Sequence, residues 1–399
     1  MGLKLLSSAM LLYSMNLGII ITIIPLFSRE LGADKMTIGF IASVYAIAYT
    51  LGALFWGRGS DILGRKLALG LGMLGYSITI FLFTFVNDPS QIFAVRFLGG
   101  LADVSFWTVP TAFIADMYAP EEMGAALGKI GTATAIGFII GSALVDILVE
   151  IVKVIDYRGL FKICSAFIFL IALLTLFGIQ EKTKPRASSR KTADSSKVMH
   201  KYGKLMEKSF VVMYINIAFF SMFFGVIISQ FIIYAKDILG PGEAFIGLLI
   251  GSYYASEAII QVPAGKLSDV FGRYRITVLG FIICASGFFA LTFATSLVLL
   301  LIPIVIIGAG IGTLYITVPA AIMDVAPTSQ RGLVSGFQNI AWGIGYFVGP
   351  ALGGIVVSYY IGAPYLLCVI VSMLGVVLTL YGSKIRNSIS KQHNQNTVS

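Results

Sequence analysis

The stretch from Gly57 to Lys66 reads GRGSDILGRK, and the stretch from Gly265 to Arg275 repeats it as GKLSDVFGRYR. The two copies start 208 positions apart, and the same offset relates further residues along the chain. These pairs are Gly39 with Gly247, Tyr45 with Tyr253, Asp116 with Asp324, Gly124 with Gly332, Gly137 with Gly345, and Gly141 with Gly349. A constant offset over so much sequence predicts two copies of one unit, an arrangement typical of membrane proteins that rock one half against the other.

The composition places this chain in a membrane. Of its 399 residues, 57% are hydrophobic and 12% are charged, whereas soluble domains carry about 25% charged residues. Apolar stretches of membrane-spanning length recur along the whole chain. We predict an all-α membrane protein with twelve transmembrane helices in two pseudo-symmetric six-helix bundles. The predicted spans, numbered in chain order, are 5–29, 36–56, 68–86, 90–117, 124–150, 159–178, 209–236, 243–264, 276–293, 296–325, 331–358 and 363–382.

These spans divide the chain into an N-terminal bundle (1–179), a basic linker (180–208), a C-terminal bundle (209–383) and a short tail (384–399). The linker is rich in Ser, Lys and Arg, which predicts a solvated cytosolic tether. Basic residues also concentrate in the loops on the linker's side of the membrane, which predicts cytosolic termini in the cell membrane. The apolar run after Lys4 has no clean cleavage site, so we expect a retained first span. Cys164, Cys284 and Cys368 lie in separate spans, as in ordinary apolar packing.

Several motifs resemble those of the major facilitator superfamily over essentially the whole chain. The repeated loop is similar to that family's cytosolic signature and lies between spans 2 and 3 of each half. The run WTVPTAFIADMYAPEEMG (107–124) corresponds to ITVPAAIMDVAPTSQRG (316–332), and RFLGG at 96–100 resembles the fourth-helix motif. Span 11 has a glycine–proline motif around Pro350, whereas span 5 has Ser142 at the matching place. The family's drug antiporters carry proline there, so Ser142 argues against an ordinary member of that group.

The resemblance implies that spans 1, 4, 7 and 10 line a cavity, that spans 2, 5, 8 and 11 flank it, and that the others face lipid. Ionisable residues at bilayer depth are costly and indicate function, and they fall on the cavity and flanking spans: Arg96 and Asp103 in span 4 and Glu257 in span 8. Asp103 is a candidate proton or cation site, and Arg96 would tune Asp103 or bind an anionic group; a buried Arg96–Asp103 ion pair that only holds helices together is the alternative. Glu257 is a second candidate proton site, or else a protonated carboxyl that hydrogen-bonds across helices. Asp146 in span 5 is expected to belong to a solvated outer cluster.

Uncharged polar and aromatic residues complete the candidate cavity. They could stack on a small organic solute or hydrogen-bond to it, or instead join helices. The main candidates are Asn16, Trp107, Gln230, Tyr253 and Tyr315, with Asn216 and Thr317 as further candidates.

The repeated loop predicts a gate at the cytosolic end. Its glycines would form the turn between helices, and Asp61 would be free to meet a helix N-terminus, whose partial charge favours a carboxylate. By resemblance, Asp61 meets the start of span 11 and Arg65 pairs with Asp116; in the second half, the corresponding aspartate meets the start of span 5. The gate residues are Gly57, Asp61, Gly64, Arg65 and Asp116, with Gly265, Asp269, Gly272, Arg273 and Asp324 in the second copy.

These features predict a secondary transporter that moves a small organic solute by alternating access. Proton-coupled export of a hydrophobic or cationic compound is favoured over proton-coupled or facilitated uptake of a sugar, organic acid or similar nutrient. An intramembrane enzyme is disfavoured because His200 and His393 lie outside the spans. The chain also lacks a GxxxxGK[ST] loop, which disfavours primary ATP-driven transport, and its short tails offer no sensor domain. We expect a monomer among membrane lipids, with solute and protons as partners and without nucleic acid, metal or cofactor.

Overall fold

A computed structural model describes residues 2–118, 120–178, 208–240, 245–324, 326 and 331–396. Within these ranges every regular element is a helix. The helices of the first half are Gly2–Glu30, Lys35–Leu63, Arg65–Leu82 (continued by a 3₁₀ turn, Phe83–Phe85), Pro89–Met117 and Pro120–Gly178. The last of these contains spans 5 and 6, which meet at Asp156, where φ is 60°. A positive φ interrupts a right-handed helix, so the chain reverses direction there.

The second half begins with Lys208–Val226, which continues through a π-helical turn (Ile227–Phe231) into Ile232–Leu239 as span 7. Its remaining helices are Ile246–Phe271, Arg273–Thr292, Leu297–Met323, Arg331–Val356 and Ala363–Asn396. Eleven helical segments in the described ranges are long and apolar enough to cross a membrane. The remaining predicted span, span 8, forms a 26-residue helix, Ile246–Phe271, long enough at about 1.5 Å per residue. It is less apolar because it carries Glu257, Lys266 and Asp269.

The helices pack as the repeat predicts. Span 1 packs on span 5 and span 2 on span 4, while span 7 packs on span 11 and span 8 on span 10. Contacts between the halves come mainly from spans 2 and 11 and from spans 5 and 8. The linker lies outside the described residues except for Lys208.

Close helix approaches repeat between the halves. A Cβ atom on Gly100 would overlap the Tyr45 carbonyl oxygen, and one on Gly308 would overlap the Tyr253 carbonyl oxygen. Both glycines therefore let span 4 or span 10 approach the neighbouring backbone, as small residues do in membrane bundles. Positions 45 and 253, like 100 and 308, differ by the repeat offset. The sequence repeat is thus a repeat of three-dimensional contacts.

Span 7 departs from the repeat by one residue. Gly18 in span 1 packs against Phe138 and Ser142, and Gly225 in span 7 packs against Tyr346 and Pro350. Phe138 and Tyr346 are 208 positions apart in the sequence, and so are Ser142 and Pro350, whereas Gly18 and Gly225 are separated by one position less. The π turn at 227–231 follows Gly225 and takes up one extra residue, as π bulges do. Beyond it the offset is restored, because Gly32 and Gly240, which are 208 positions apart, both have a positive φ, 92° and 85°.

Candidate functional site

Asp103 lies at mid-helix in span 4 and is 1% exposed. The Tyr13 hydroxyl donates a hydrogen bond to its Oδ1 at 2.8 Å. The Tyr45 hydroxyl donates to Oδ2, and the Trp107 Nε1–H donates to the same oxygen at 3.3 Å. Span 1, span 2 and span 4 thus each supply one donor. Burial without donors would make this carboxyl very costly, so the site is built for an acid.

Arg96 lies two turns before Asp103 and is 8% exposed. Its guanidinium carbon lies 4.0 Å from the centroid of the Tyr45 ring, a cation–π contact. No ion pair within 4.0 Å joins Arg96 to Asp103 among the described side chains. Arg96 also lines a small cavity with Ser28 and Ser229. The direct Arg96–Asp103 ion pair considered from the sequence is absent. The Tyr45 ring lies against the guanidinium of Arg96, and the Tyr45 hydroxyl donates a hydrogen bond to the carboxylate of Asp103.

Glu257 lies on span 8 in the other half and is half-buried. Its Oε2 atom is buried and has no hydrogen-bond partner among the described residues. Tyr253, one turn earlier on the same helix, interacts electrostatically with it. By the repeat offset, Glu257 occupies the place of Tyr49, and Ile311 occupies the place of Asp103. Each half therefore carries its intramembrane carboxyl on a different helix.

A wall of stacked rings connects these two regions. The Trp107 ring stacks on Phe138 with centroids 6.0 Å apart, and Phe138 stacks on Tyr254 at 4.8 Å. Tyr254 in turn packs edge-on against Tyr253 at 5.1 Å. The Phe138–Tyr254 contact crosses from span 5 to span 8, and Trp107 is 37% exposed. Phe138, Tyr253 and Tyr254 are buried, so the wall is a packed connection between the Asp103 and Glu257 regions that is open only at Trp107.

A second aromatic group lies in the C-terminal half around Tyr315, which is 44% exposed. The Tyr315 ring packs on Trp342 at 6.0 Å and on Phe220 at 6.3 Å. The sequence analysis included Tyr315 but missed Trp342. Trp342 lies on span 11 one turn before Tyr346, and a tryptophan within the glycine–proline motif was the available signal.

Two predicted cavity residues instead join helices. Asn16 is 2% exposed, and its Nδ2 donates to the Cys164 carbonyl in span 6 at 3.2 Å. Gln230 is 3% exposed, and its Nε2 donates to the Lys35 carbonyl at 3.3 Å. Asn216 similarly donates to Thr379 at 2.8 Å. The sequence pattern identified these side chains as polar, but the faces they occupy follow from helix rotation, and for Gln230 from the π turn.

The arginine pairs of the repeated loop form in both halves. Arg65 Nε donates to Asp116 at 2.8 Å, and Arg273 Nε donates to Asp324 at 3.1 Å. Each arginine also meets the aspartate one turn before it, Asp61 at 2.7 Å and Asp269 at 2.6 Å. The expected contacts of Asp61 and Asp269 with the opposite half are not among the described contacts. The two aspartates are 47% and 61% exposed, so they face the open end of the molecule.

The turn itself rests on one glycine per half. Gly64 and Gly272 both have φ of +93°, a conformation that side-chain-bearing residues rarely adopt. Gly57 and Gly265 lie within the preceding helices, so the expectation that Gly57 also forms the turn is wrong. Ser60 and Ser268, which the sequence analysis missed, accept from Arg65 and Arg273 at 2.6 Å each. Both serines precede the motif aspartates in the repeat, and that was their signal.

The opposite, predicted outer, end is sealed between the halves. The Asp146 carboxylate in span 5 accepts from the Gly247 N–H at 2.7 Å and from the Leu248 N–H at 3.0 Å. It thus caps the N-terminus of span 8, where a negative charge is favoured. Asp237 pairs with Arg29 and with Lys35 at 2.8 Å. The expectation that Asp146 belongs to a solvated cluster is wrong, because tertiary packing brings a helix start to its carboxylate.

Glycines on the interface helices show how the halves are tilted. Near the outer end, a Cβ on Gly39 would overlap the Pro350 carbonyl oxygen, and one on Gly247 would overlap the Ser142 carbonyl oxygen. Near the cytosolic end, Gly57, Gly131 and Gly336 have no neighbouring atom within 4 Å of such a Cβ. The halves are therefore in close contact at the predicted outer end and apart at the predicted cytosolic end, and with that orientation the arrangement is inward-facing.

Known proteins match this sequence and share this fold. The family model described as Major Facilitator Superfamily matches residues 6–240 and 213–397, which together cover nearly the whole chain. The chain belongs to the Major Facilitator Superfamily. It is thus a multi-pass membrane transporter of a family that carries small molecules, and the fold implied by the sequence motifs is confirmed.

Among curated relatives of this superfamily member, Multidrug resistance protein 1 of Bacillus subtilis is 25% identical over 373 residues, covering 92% of each chain. The multi-drug resistance efflux pump PmrA of Streptococcus pneumoniae is 26% identical and is matched over 86% of each chain. A solved bacterial homolog of the human lysosomal transporter Spinster, in an inward-facing and occupied conformation, has a TM-score of 0.77 at 14% identity, with 96% of each chain covered. That structure shows the shared fold.

The tight glycines of this superfamily chain give a first prediction. Gly247→Ala is expected to disfavour the inward-facing arrangement, since its methyl group would overlap backbone at the outer seal. Gly131→Ala, on span 5 in open space, is the matched control. Thiol labelling of a cysteine introduced at Phe55, which is 65% exposed near the cytosolic end, should slow severalfold in Gly247→Ala alone. Equal labelling rates in the two variants would contradict the assigned closure.

Proposed function

We propose that this chain exports hydrophobic or cationic organic compounds in exchange for protons, by alternating access. The observation that carries the proposal is Asp103, a buried acid with three donors and no described ion-pair partner, beside the exposed face of Trp107. An acid that is buried but not neutralised by a fixed cation can change its protonation state during a cycle. The multidrug names of relatives at 25% and 26% identity support the export direction.

The cavity chemistry supports a solute with apolar or cationic surface. The Trp107 ring is the exposed member of the stacked wall, and aromatic faces attract apolar rings and cations. Glu257 supplies a second carboxyl on the far side of that wall, as a cation partner or a second proton site. We further propose that the protein works as a monomer in the cell membrane with both termini cytosolic. For an uncharged solute, one proton crossing 100 mV supplies about 2.3 kcal/mol, enough to accumulate that solute roughly fifty-fold against its gradient. Exchange of one proton for one singly charged cation moves no net charge, so the pH gradient alone drives it.

The test uses liposomes that contain the purified protein and an internal pH dye, with potassium and valinomycin to hold the voltage at zero. The probe is tetraphenylphosphonium, a permanent cation that carries no proton of its own. Exchange predicts that external probe raises the internal pH, because protons leave as the probe enters. Protein-free liposomes control for passive entry, and Asp103→Asn and Glu257→Gln identify the coupling carboxyl.

The direction of the internal pH change and the responses of the two variants distinguish exchange from symport and from uncoupled transport. A protein-dependent rise lost in Asp103→Asn supports the proposal and assigns the proton to Asp103, whereas loss in Glu257→Gln alone would assign it to span 8. An internal pH that falls indicates symport and contradicts export by exchange. Protein-dependent probe entry without any pH change would show an uncoupled facilitator.

A further inference from the structure

Tyr45 makes three contacts that no other described residue combines. Its hydroxyl donates to Asp103 Oδ2, and its ring face carries the Arg96 guanidinium at 4.0 Å. Its ring edge meets Tyr346 of span 11, with centroids 6.1 Å apart and planes at 77°. One side chain on span 2 therefore touches the buried acid, the buried cation and the opposite half of the protein.

The Arg96–Tyr45 contact is more than incidental packing. The Arg96 Nε atom is buried and has no hydrogen-bond partner in the part of the chain that the structure describes. The Tyr45 ring is therefore a principal partner of this cation, because the face of an aromatic ring attracts a desolvated guanidinium. A nearby cation makes the tyrosine hydroxyl a better donor, since it draws electron density toward the ring. Arg96 thus acts on Asp103 through Tyr45.

The face of span 2 that carries Tyr45 is also the moving interface. Ser43 donates to the Phe347 carbonyl of span 11 at 2.9 Å. One turn earlier, Gly39 lies against Pro350 and Gly354. When the outer seal opens, span 11 must move away from this face, and the Tyr346 ring moves with it. The position of Tyr45, and with it the donor to Asp103, then depends on which side of the protein is open.

We infer that Tyr45 is a positioning residue that links the protonation of Asp103 to the rocking of span 2 against span 11. The inference rests on the proposed proton coupling and names the part that transmits it. Ionised Asp103 holds the Tyr45 hydroxyl as a donor and keeps the ring against Arg96 and Tyr346. A proton that binds the carboxylate removes the need for that donor, and Tyr45 is free to follow span 11. The sequence alone shows Tyr45 only as one member of a repeat pair with Tyr253.

The other titratable groups around Asp103 come from every neighbouring helix. They are Tyr13 of span 1, Tyr49 of span 2, Tyr76 of span 3, Arg96 of span 4 and Tyr346 of span 11. Tyr13 donates to the acid without a described contact to the opposite half. Tyr49 packs on Tyr346 at 6.4 Å and makes no described hydrogen bond to Asp103. Tyr49 is therefore a matched control on the same helix and against the same partner ring.

The test measures how the conformation depends on pH, with no solute added. Spin labels at Ile62 and Val270, which are 79% and 78% exposed at the cytosolic ends of spans 2 and 8, report the opening by pulsed electron resonance. The full-length protein in liposomes is titrated from about pH 5 to about pH 9, the range in which buried carboxyls titrate. We expect the distance distribution to shift between a short and a long population, with a defined midpoint.

Tyr45→Phe keeps the ring and removes only the hydroxyl. Its midpoint should move upward by about one pH unit, because ionised Asp103 loses a charge-assisted hydrogen bond. Tyr49→Phe should leave the midpoint unchanged. Tyr346→Leu keeps every donor to Asp103 but removes the partner ring on span 11, and its midpoint should also move. Asp103→Asn should abolish the pH response.

Each outcome decides something. An unchanged midpoint in Tyr45→Phe or in Tyr346→Leu, with the response lost in Asp103→Asn, overturns the inference and leaves the proposed function standing. An equal shift in Tyr49→Phe assigns the effect to general ring packing and also overturns it. A full pH response in Asp103→Asn, or none in the wild type, contradicts the proposed proton site together with the inference. Size-exclusion profiles identify a Tyr45→Phe protein that has not folded, and Tyr346→Leu then carries the test.

Discussion

Asp103→Leu is expected to lower the free energy of unfolding by several kcal/mol, the largest stability loss of any single change in the cavity. Leucine is of similar size but accepts no hydrogen bond, so the hydroxyls of Tyr13 and Tyr45 lose their acceptor. Both tyrosines are buried, and each unpaired buried donor costs about 1–3 kcal/mol. Trp107 is exposed enough for water to replace its lost acceptor.

Two variants separate this cause from a general effect of substitution at bilayer depth. Asp103→Asn retains an acceptor oxygen and should recover more than half of the loss. Glu257→Leu removes a carboxyl whose Oε2 atom has no described hydrogen-bond partner, and it should be near neutral. Thermal unfolding in detergent, followed by intrinsic fluorescence, gives the comparison. Equal destabilisation by Asp103→Leu and Glu257→Leu would show that the donors around Asp103 do not stabilise the fold.

Asp146→Ala is expected to shift the protein toward an outward-open arrangement by one to two orders of magnitude in population. Its carboxylate caps two N–H groups of span 8 across the interface. Hydrogen bonds to a charged group contribute about 1.5–3 kcal/mol, and each 1.4 kcal/mol is a tenfold change. Once the interface opens, Asp146 is free in water and the N–H groups lose their cap, so the contact favours the sealed state alone.

The measurement is the distance between labels at Phe85 and Tyr359, which are 63% and 87% exposed at the outer end of opposite halves. Asp156→Ala is the matched control, because Asp156 is an aspartate at the same end that accepts from Gly159 within its own half. Asp237→Ala should have a smaller effect than Asp146→Ala, since its pairs with Arg29 and Lys35 are partly exposed and such pairs contribute about 1 kcal/mol or less. A distribution that stays at the wild-type distance in Asp146→Ala would remove this residue from the seal.

The repeat offset accounts for much of what sequence analysis predicted correctly. The family resemblance implied that Arg65 pairs with Asp116 and Arg273 with Asp324, and the offset relates the two pairs, since two copies of one local motif fold alike. It also identified Gly64 and Gly272 as turn positions, where a positive φ requires glycine. Asp103 and Glu257 were identified only from the energetic cost of placing an ionisable side chain within an apolar span, which indicates a functional role.

The same offset could not place residues whose role depends on a neighbouring helix. Gln230 was expected in the cavity, yet the π turn rotates it toward Lys35 in the outer seal. Asn16 was expected there too, but it contacts span 6. A polar residue on a buried helix shows the same sequence pattern whether it faces a solute or another helix, and a rotation of about 100° per residue decides between them.

Sequence patterns were enough to predict the twelve-helix repeat, the membrane location and the local chemistry of the repeated loops, because hydrophobic length, charge cost and turn geometry act within short segments. The three-dimensional packing was needed to show that Asp146 caps span 8, that Tyr45 joins Asp103 to Arg96 and Tyr346, and that the halves meet at the predicted outer end. Those contacts join residues from helices far apart in the chain. Their formation depends on how whole helices rotate, tilt and pack, which no single segment encodes.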